Sequence, residues 1–136
     1  PHSGQVSFPG GAREKKDGSL EITALRETRE ELGITAEITV LGSLTELYIP
    51  VSNFLVTPFV GWTARKPEFD PDPSEVHYVI ETTLAALSDP GNRATETIFR
   101  HGQTIVAPYF RIGNEKIWGA TAMMLSELLQ LAARLQ

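Results

Sequence analysis

The apolar residues change their spacing several times along the chain, and each change marks an element. Gln5-Val6-Ser7-Phe8 alternates polar with apolar, as a half-buried strand does, and Pro9-Gly10-Gly11 then forces a turn. Leu20, Ile22, Ala24, Leu25 and Leu32 follow helical spacing, with Ile22, Leu25 and Leu32 near one stripe. Ser19 is a good N-cap for that helix, and Gly33 is a good left-handed stop. Alternation returns at Ile34, Ala36, Ile38 and Val40, which predicts a strand broken at Gly42-Ser43, with a further strand or loop through Tyr48. Residues 53–62 are nearly continuous apolar and read as a buried strand, with Pro58 implying an edge or a bulge. A Pro/Asp-rich loop over 67–74 precedes a strand at 75–80, and residues 83–87 form a short helix ending before Pro90. Residues 94–101 and 104–112 predict a hairpin joined at Gly102-Gln103. Residues 120–135 predict a final helix whose Met124, Leu125, Leu128, Leu129, Leu131 and Ala132 form a broad stripe toward the core. Strands with one early and one late long helix give an α/β class, an α/β/α sandwich with a mixed β-sheet between helices.

A length of 136 residues suits one domain, 1–136, with a real core. The net charge of −5, from 12 basic and 17 acidic residues, argues against a general nucleic-acid or anionic-membrane surface. It does not argue against a small phosphorylated substrate. With no cysteine there is no disulfide, thiolate nucleophile or cysteine zinc site, and a cytoplasmic home is the expectation. No apolar run approaches the length of a membrane span, and no signal-peptide pattern is visible.

The candidate chemistry lies on the first helix. At 100° per residue Glu27, Glu30 and Glu31 fall within an arc of roughly 100°. Neighbours at such spacings lie about 5–6 Å apart at Cβ. Two carboxylates at that distance repel by roughly 3 kcal/mol at an effective dielectric near 20. A cation would neutralise them, and oxygen-only ligands on a rigid element suit Mg²⁺ or Mn²⁺ rather than zinc. A solvated acidic face partly neutralised by Arg26 and Arg29 is the plainer alternative.

Arg26-Glu27, Glu30-Glu31, Gly33 and Ile34, approached through Phe8-Pro9-Gly10-Gly11, resemble the Nudix box, the metal-binding loop–helix–loop of the Nudix hydrolases. Thr28 stands where an aliphatic residue is usual. The box's first Glu is absent, because Gly18 occupies its place, and Asp17 beside it is the nearest acid. His2, the pair Gly4-Gln5 and Phe8-Pro9-Gly10-Gly11 are similar to the end of the extra motif that precedes the box in coenzyme A pyrophosphatases. The earlier half of that motif would lie before Pro1. Residues 49–58 also resemble that subfamily.

The resemblance implies a Nudix-type fold and metal-dependent hydrolysis of a diphosphate linkage in coenzyme A or its acyl derivatives. It implies Glu27, Glu30 and Glu31 as metal ligands, Glu27 and Glu31 as catalytic, and His2, Gln5, Phe8, Gly10 and Gly11 as substrate-binding. Arg26 and Gly33 are expected to support the helix. The general base is expected at Glu27, with Glu75, Glu96 and Glu115 as remote alternatives that read more simply as surface charges. Two other functions stay open: a broader nucleoside diphosphate hydrolase acting on ADP-ribose or NADH, and a non-catalytic nucleotide-binding module. The expected partner is a small nucleoside diphosphate, with neither nucleic acid nor membrane; a homodimer is compatible with the sequence.

Overall fold

The structure, a computed structural model, describes residues 4–135. It contains α1 (Leu20–Leu32), β1 (Thr39–Ser43), β2 (Leu47–Ile49), β3 (Phe54–Val56), β4 (Phe59–Trp62), α2 (Leu84–Ser88), a 3-10 turn (Pro90–Asn92), β5 (Arg93–Arg100), β6 (Gln103–Ile112), β7 (Glu115–Ile117) and α3 (Gly119–Ala133). These elements are α/β in class. They form two compact units, one of residues 4–8 and 81–135 and the other Pro9–Ile80.

In the Pro9–Ile80 unit, α1 begins where the sequence places it. Ser19 is extended and its hydroxyl accepts the Ile22 N–H at 3.2 Å, while Glu21 complements the positive end of the helix. Gly33 at φ +66° ends the helix, and its N–H reaches the Arg29 carbonyl at 2.9 Å. The helix's buried position is Thr23, whereas Ile22, expected in the apolar stripe, is exposed. The reason lies in Asp17, whose buried carboxylate draws the Thr23 side of the helix inward through a hydroxyl bond.

The strand expected from Ile34 begins only at Thr39, because the Arg29 guanidinium takes the Ile34 and Ala36 carbonyls at 3.4 and 3.1 Å. β1 pairs antiparallel with β4, and the register slips between Val40 and Gly42, leaving Leu41 bulged and exposed. The run 53–62 is two strands rather than one buried strand. Pro58 lacks an N–H for a ladder, its carbonyl receives the Leu44 N–H at 2.8 Å, and Phe54, Leu55 and Trp62 are exposed. β2 pairs antiparallel with β3. Residues 75–80 form no strand; the Glu75 and Val76 N–H groups both turn back to the Asp72 carbonyl, at 3.1 and 2.8 Å.

In the other unit β5, β6 and β7 form an antiparallel sheet in that order. The hairpin turns one residue earlier than expected, at His101-Gly102, with φ of +53° and +75°. Positive φ at both positions is what a two-residue hairpin needs to match the twist of its strands. The core gathers Phe110 and Ile117 from the sheet, Leu87 from α2, and Ala122, Leu125 and Leu129 from α3, with Val6 packed against it. Residues 5–8 form no strand. Leu131, expected in the buried stripe of α3, is exposed, because the helix's inward line runs Ala122, Leu125, Leu129. No helix among the described residues is long and apolar enough to cross a membrane.

Candidate active site

The site is built around one buried ion pair. Asp17 is 2% exposed and every bond it accepts is local to the loop and helix. It takes the Glu14 N–H at 2.9 Å, the Thr23 hydroxyl at 3.0 Å, and the Arg26 Nε and Nη2 at 3.0 and 2.9 Å. The Arg26 hydrogen bonds are the largest cause holding the Asp17 carboxyl well below the usual carboxylate range; the Glu14 and Thr23 donors add to this, and burial opposes it. The same pairing pushes the Arg26 guanidinium up. Asp17, next to Gly18, thereby fixes the Arg26 guanidinium in place.

Arg26 then carries this anchorage onto the acidic helix face. Its Nη1 donates to Glu27 Oε1 at 3.1 Å and to Glu30 Oε2 at 3.2 Å, and stands 3.5 Å from Glu14 Oε1. One guanidinium thus serves four acids, and the excess negative charge stays on the helix. Of the three expected metal ligands, Glu27 and Glu31 come together, sharing a side-chain hydrogen bond. Glu30 is tied to Glu27 through Arg26 Nη1, which both carboxylates share, and its side chain is more than half exposed. Among the described residues no three acidic or imidazole side chains surround a single point.

Glu31 has its carboxyl pushed up to about 7, mainly by burial, then by the hydrogen bond with Glu27 and the charges of Glu27 and Glu75, against a bond from the Gly10 N–H. Gly11 lies against Glu27. A Cβ there would stand 2.5 Å from Glu27 Oε1, so any other residue would push that carboxylate from its place. The site thus consists of two facing carboxylates, a guanidinium behind one of them, and a backbone N–H on the other.

A loop that the sequence left as connection completes the site. The Asp70 N–H donates to the Leu32 carbonyl at 2.9 Å and the Asp72 N–H to the Glu31 carbonyl at 3.0 Å. These bonds satisfy carbonyls that the end of a helix leaves without partners. The Asp72 side chain in turn accepts from the Ser74 N–H and hydroxyl at 2.9 and 2.7 Å, which holds its carboxyl below the ordinary range. Glu75 follows directly and acts electrostatically on Glu31. Weighed as a remote surface charge in the sequence, Glu75 is close enough for its charge to act on Glu31, as the weakest of the causes that raise it. The signal that could have found it was Asp72-Pro73-Ser74, an Asx-type turn just ahead of an acid.

The remaining expected residues belong to the other unit or fall outside the described residues. Gln5 and Phe8 belong to the other unit and are exposed. Glu96, one of the alternative bases, is bound to Lys116 on the β5–β7 sheet, and Glu115 starts β7. His2 lies outside the described residues.

Comparison with known proteins agrees with this geometry. The family described as NUDIX domain matches residues 1–101. The Nudix hydrolase NudL of Photorhabdus laumondii is 35% identical over 130 residues, covering 95% of this chain and 69% of that protein. The NudL of Pectobacterium atrosepticum is 38% identical over 135 residues, covering 98% and 70%. The mitochondrial coenzyme A diphosphatase NUDT8 of Homo sapiens is 37% identical over 135 residues, covering 97% of this chain and 57% of that protein. Together with the box helix and its glycine loop, these matches make the chain a member of the Nudix hydrolase family.

Proposed function

We propose that this Nudix hydrolase cleaves the diphosphate linkage of coenzyme A or its acyl derivatives, giving 3′,5′-ADP and (acyl-)4′-phosphopantetheine, with the whole chain acting as one catalytic domain. The observation that carries the chemistry is the Glu27–Glu31 pair against the Gly10-Gly11 backbone. The substrate reading rests on the likeness to a coenzyme A diphosphatase and on the Gly4-Gln5 and Phe8-Pro9-Gly10-Gly11 residues.

Nudix hydrolases generally need a divalent metal ion, and the donor set fits one. Glu27 and Glu31 are hard oxygen donors on one rigid helix, and burial first, then the hydrogen bond to Glu27 and its like charge, push the Glu31 carboxyl up to about 7. A divalent cation would relieve that repulsion in place of the shared proton. Glu27 and Glu31 would hold Mg²⁺ or Mn²⁺, with Glu30 as a third ligand once released from Arg26. When bound, the cation supplies positive charge against the diphosphate oxygens.

The chain's own groups do the rest. Arg26, itself fixed by Asp17, sets the orientation of the Glu27 carboxylate. Water attacks phosphorus, the bridging P–O bond breaks, and Glu27 accepts the proton the water gives up. The Gly10 N–H holds Glu31, and the pinned 70–75 loop keeps Glu75 within electrostatic reach of the pair. Glu75 is the second candidate for the base, because its charge reaches Glu31.

A product assay with coenzyme A, ADP-ribose and NADH, each with and without EDTA, tests the reading. Coenzyme A turnover that EDTA abolishes is the expected result. Much faster turnover of ADP-ribose would remove the coenzyme A assignment and leave the broader hydrolase. No metal-dependent turnover of any of the three would favour a binding module.

A further inference from the structure

β5 is the outer strand of its sheet, eight residues long and exposed over seven of them. Natural sheets protect such edges with a central lysine or proline, a bulge or a covering loop. β5, Arg-Ala-Thr-Glu-Thr-Ile-Phe-Arg, has no lysine, proline or bulge, and its register with β6 is unbroken over eight pairs. Phe99 on this edge is 77% exposed.

The hairpin decides which groups face outward. In a two-residue hairpin the closing pair, here Arg100 with Gln103, exchanges both ladder bonds. Bonding then alternates along the strand, so Arg100, Ile98 and Glu96 point their backbone groups at β6. Thr95, Thr97 and Phe99 turn theirs away from the sheet, which leaves a row of donors and acceptors with no strand beside it among the described residues.

We infer that this edge pairs antiparallel with the same edge of a second copy of the chain, about a two-fold axis at Ile98. A perpendicular two-fold joins like faces of the two sheets, so residues of equal parity must stand opposite each other. Centring the axis on Ile98 sets Thr97 opposite the partner's Phe99, both with outward backbone groups, so the hydrogen bonds form. It also sets Glu96, whose carboxylate already meets Lys116 of its own sheet, opposite the partner's Arg100, twice by symmetry, and these pairs are non-bonded ones whose side chains approach most closely. Centring on Glu96 would oppose two glutamates. Charge therefore selects the Ile98 register among those the face rule allows. The exposed Phe99 ring gains the partner's Thr97 as a neighbour, and each sheet of three strands becomes half of one of six.

Sedimentation velocity across a concentration series tests this, with three variants. Thr97→Pro removes an outward N–H and leaves the β5–β6 ladder its bonds. It should weaken dimerisation at least tenfold while far-UV circular dichroism and the melting temperature hold. Arg100→Glu should weaken it likewise by opposing two acids, and Glu96→Arg together with Arg100→Glu should restore it. A wild-type chain that stays monomeric at the highest concentration overturns the inference. A dimer indifferent to Thr97→Pro, or a double variant no better than Arg100→Glu, places the interface elsewhere and overturns it equally.

Discussion

Replacing Gly33 with alanine should cost far more than the same change at another left-handed glycine. Gly113 is the control: its φ is +59° and a Cβ there meets nothing within 4 Å. Alanine at Gly113 therefore carries the left-handed penalty alone, about 1–2 kcal/mol. At Gly33, φ is +66° and the new Cβ would stand 2.1 Å from the Asp70 carbonyl oxygen, 2.7 Å from its carbon and 2.8 Å from its Cβ. All three atoms belong to one residue, two of them to its main chain, so no side-chain rotation relieves the clash. Asp70 must retreat by more than an ångström. That retreat strains or breaks the bonds from Asp70 to Leu32 and from Asp72 to Glu31, each worth roughly 0.5–1.5 kcal/mol. The total for Gly33→Ala is then about 2–5 kcal/mol, an excess of about 1–3 kcal/mol over Gly113→Ala. The chain's two tryptophans report separately, Trp62 in the unit of Gly33 and Trp118 in that of Gly113. Fluorotryptophan labelling and ¹⁹F spectra through a urea titration follow both transitions. Gly33→Ala should move the Trp62 transition by the larger amount. Equal shifts for the two variants, each read at its own tryptophan, would refute the contact reasoning, because only the steric clash separates them.

Three further outcomes are expected. Glu27→Gln and Glu31→Gln should each reduce turnover at least about 100-fold with the fold retained, the low end for a catalytic group; near-normal rates in both would remove those roles. Glu75→Gln should lower kcat, and if its pH–rate profile loses its acidic limb while that of Glu27→Gln keeps one, the base is Glu75 and not Glu27. The depressed Asp17 carboxyl contributes stability that is present above its unfolded value, about 3.9, and fades as pH falls toward the lower folded value. Melting temperatures taken between pH 5 and pH 2 should therefore fall less steeply for Asp17→Asn than for wild type, and parallel slopes would contradict the linkage.

What the sequence made legible was local. The ends of α1 were readable because a serine cap and a left-handed glycine are decided within one turn of chain. α2 and the β5–β6 hairpin followed from the same short-range rules. The strands near Ile34 and Glu75 were misread because period-two patterning says nothing about who else claims the backbone. Arg29 took the carbonyls in one case, and the Asp72 turn took the N–H groups in the other. At the site, helical spacing put Glu27, Glu30 and Glu31 on one face, yet it could not say that Arg26 would hold two of them while burial and Glu27 acted on the third. That arrangement depends on Asp17 reaching Arg26 from nine residues away. Glu75 was obscured for a similar reason: its place depends on where a loop lands, a long-range fact.

The staple between the Asp70–Asp72 loop and the end of α1 uses peptide groups alone. Drift in the loop's side chains leaves it intact, so long as proline stays out of the two donor positions and glycine stays at 33. Evolution is thereby free to rewrite the residues displayed around Glu75, tuning which molecules are accepted, without loosening the grip on the helix that does the chemistry. Variation among relatives should accordingly concentrate in what that segment presents to solvent, while its path across the helix end is inherited unchanged.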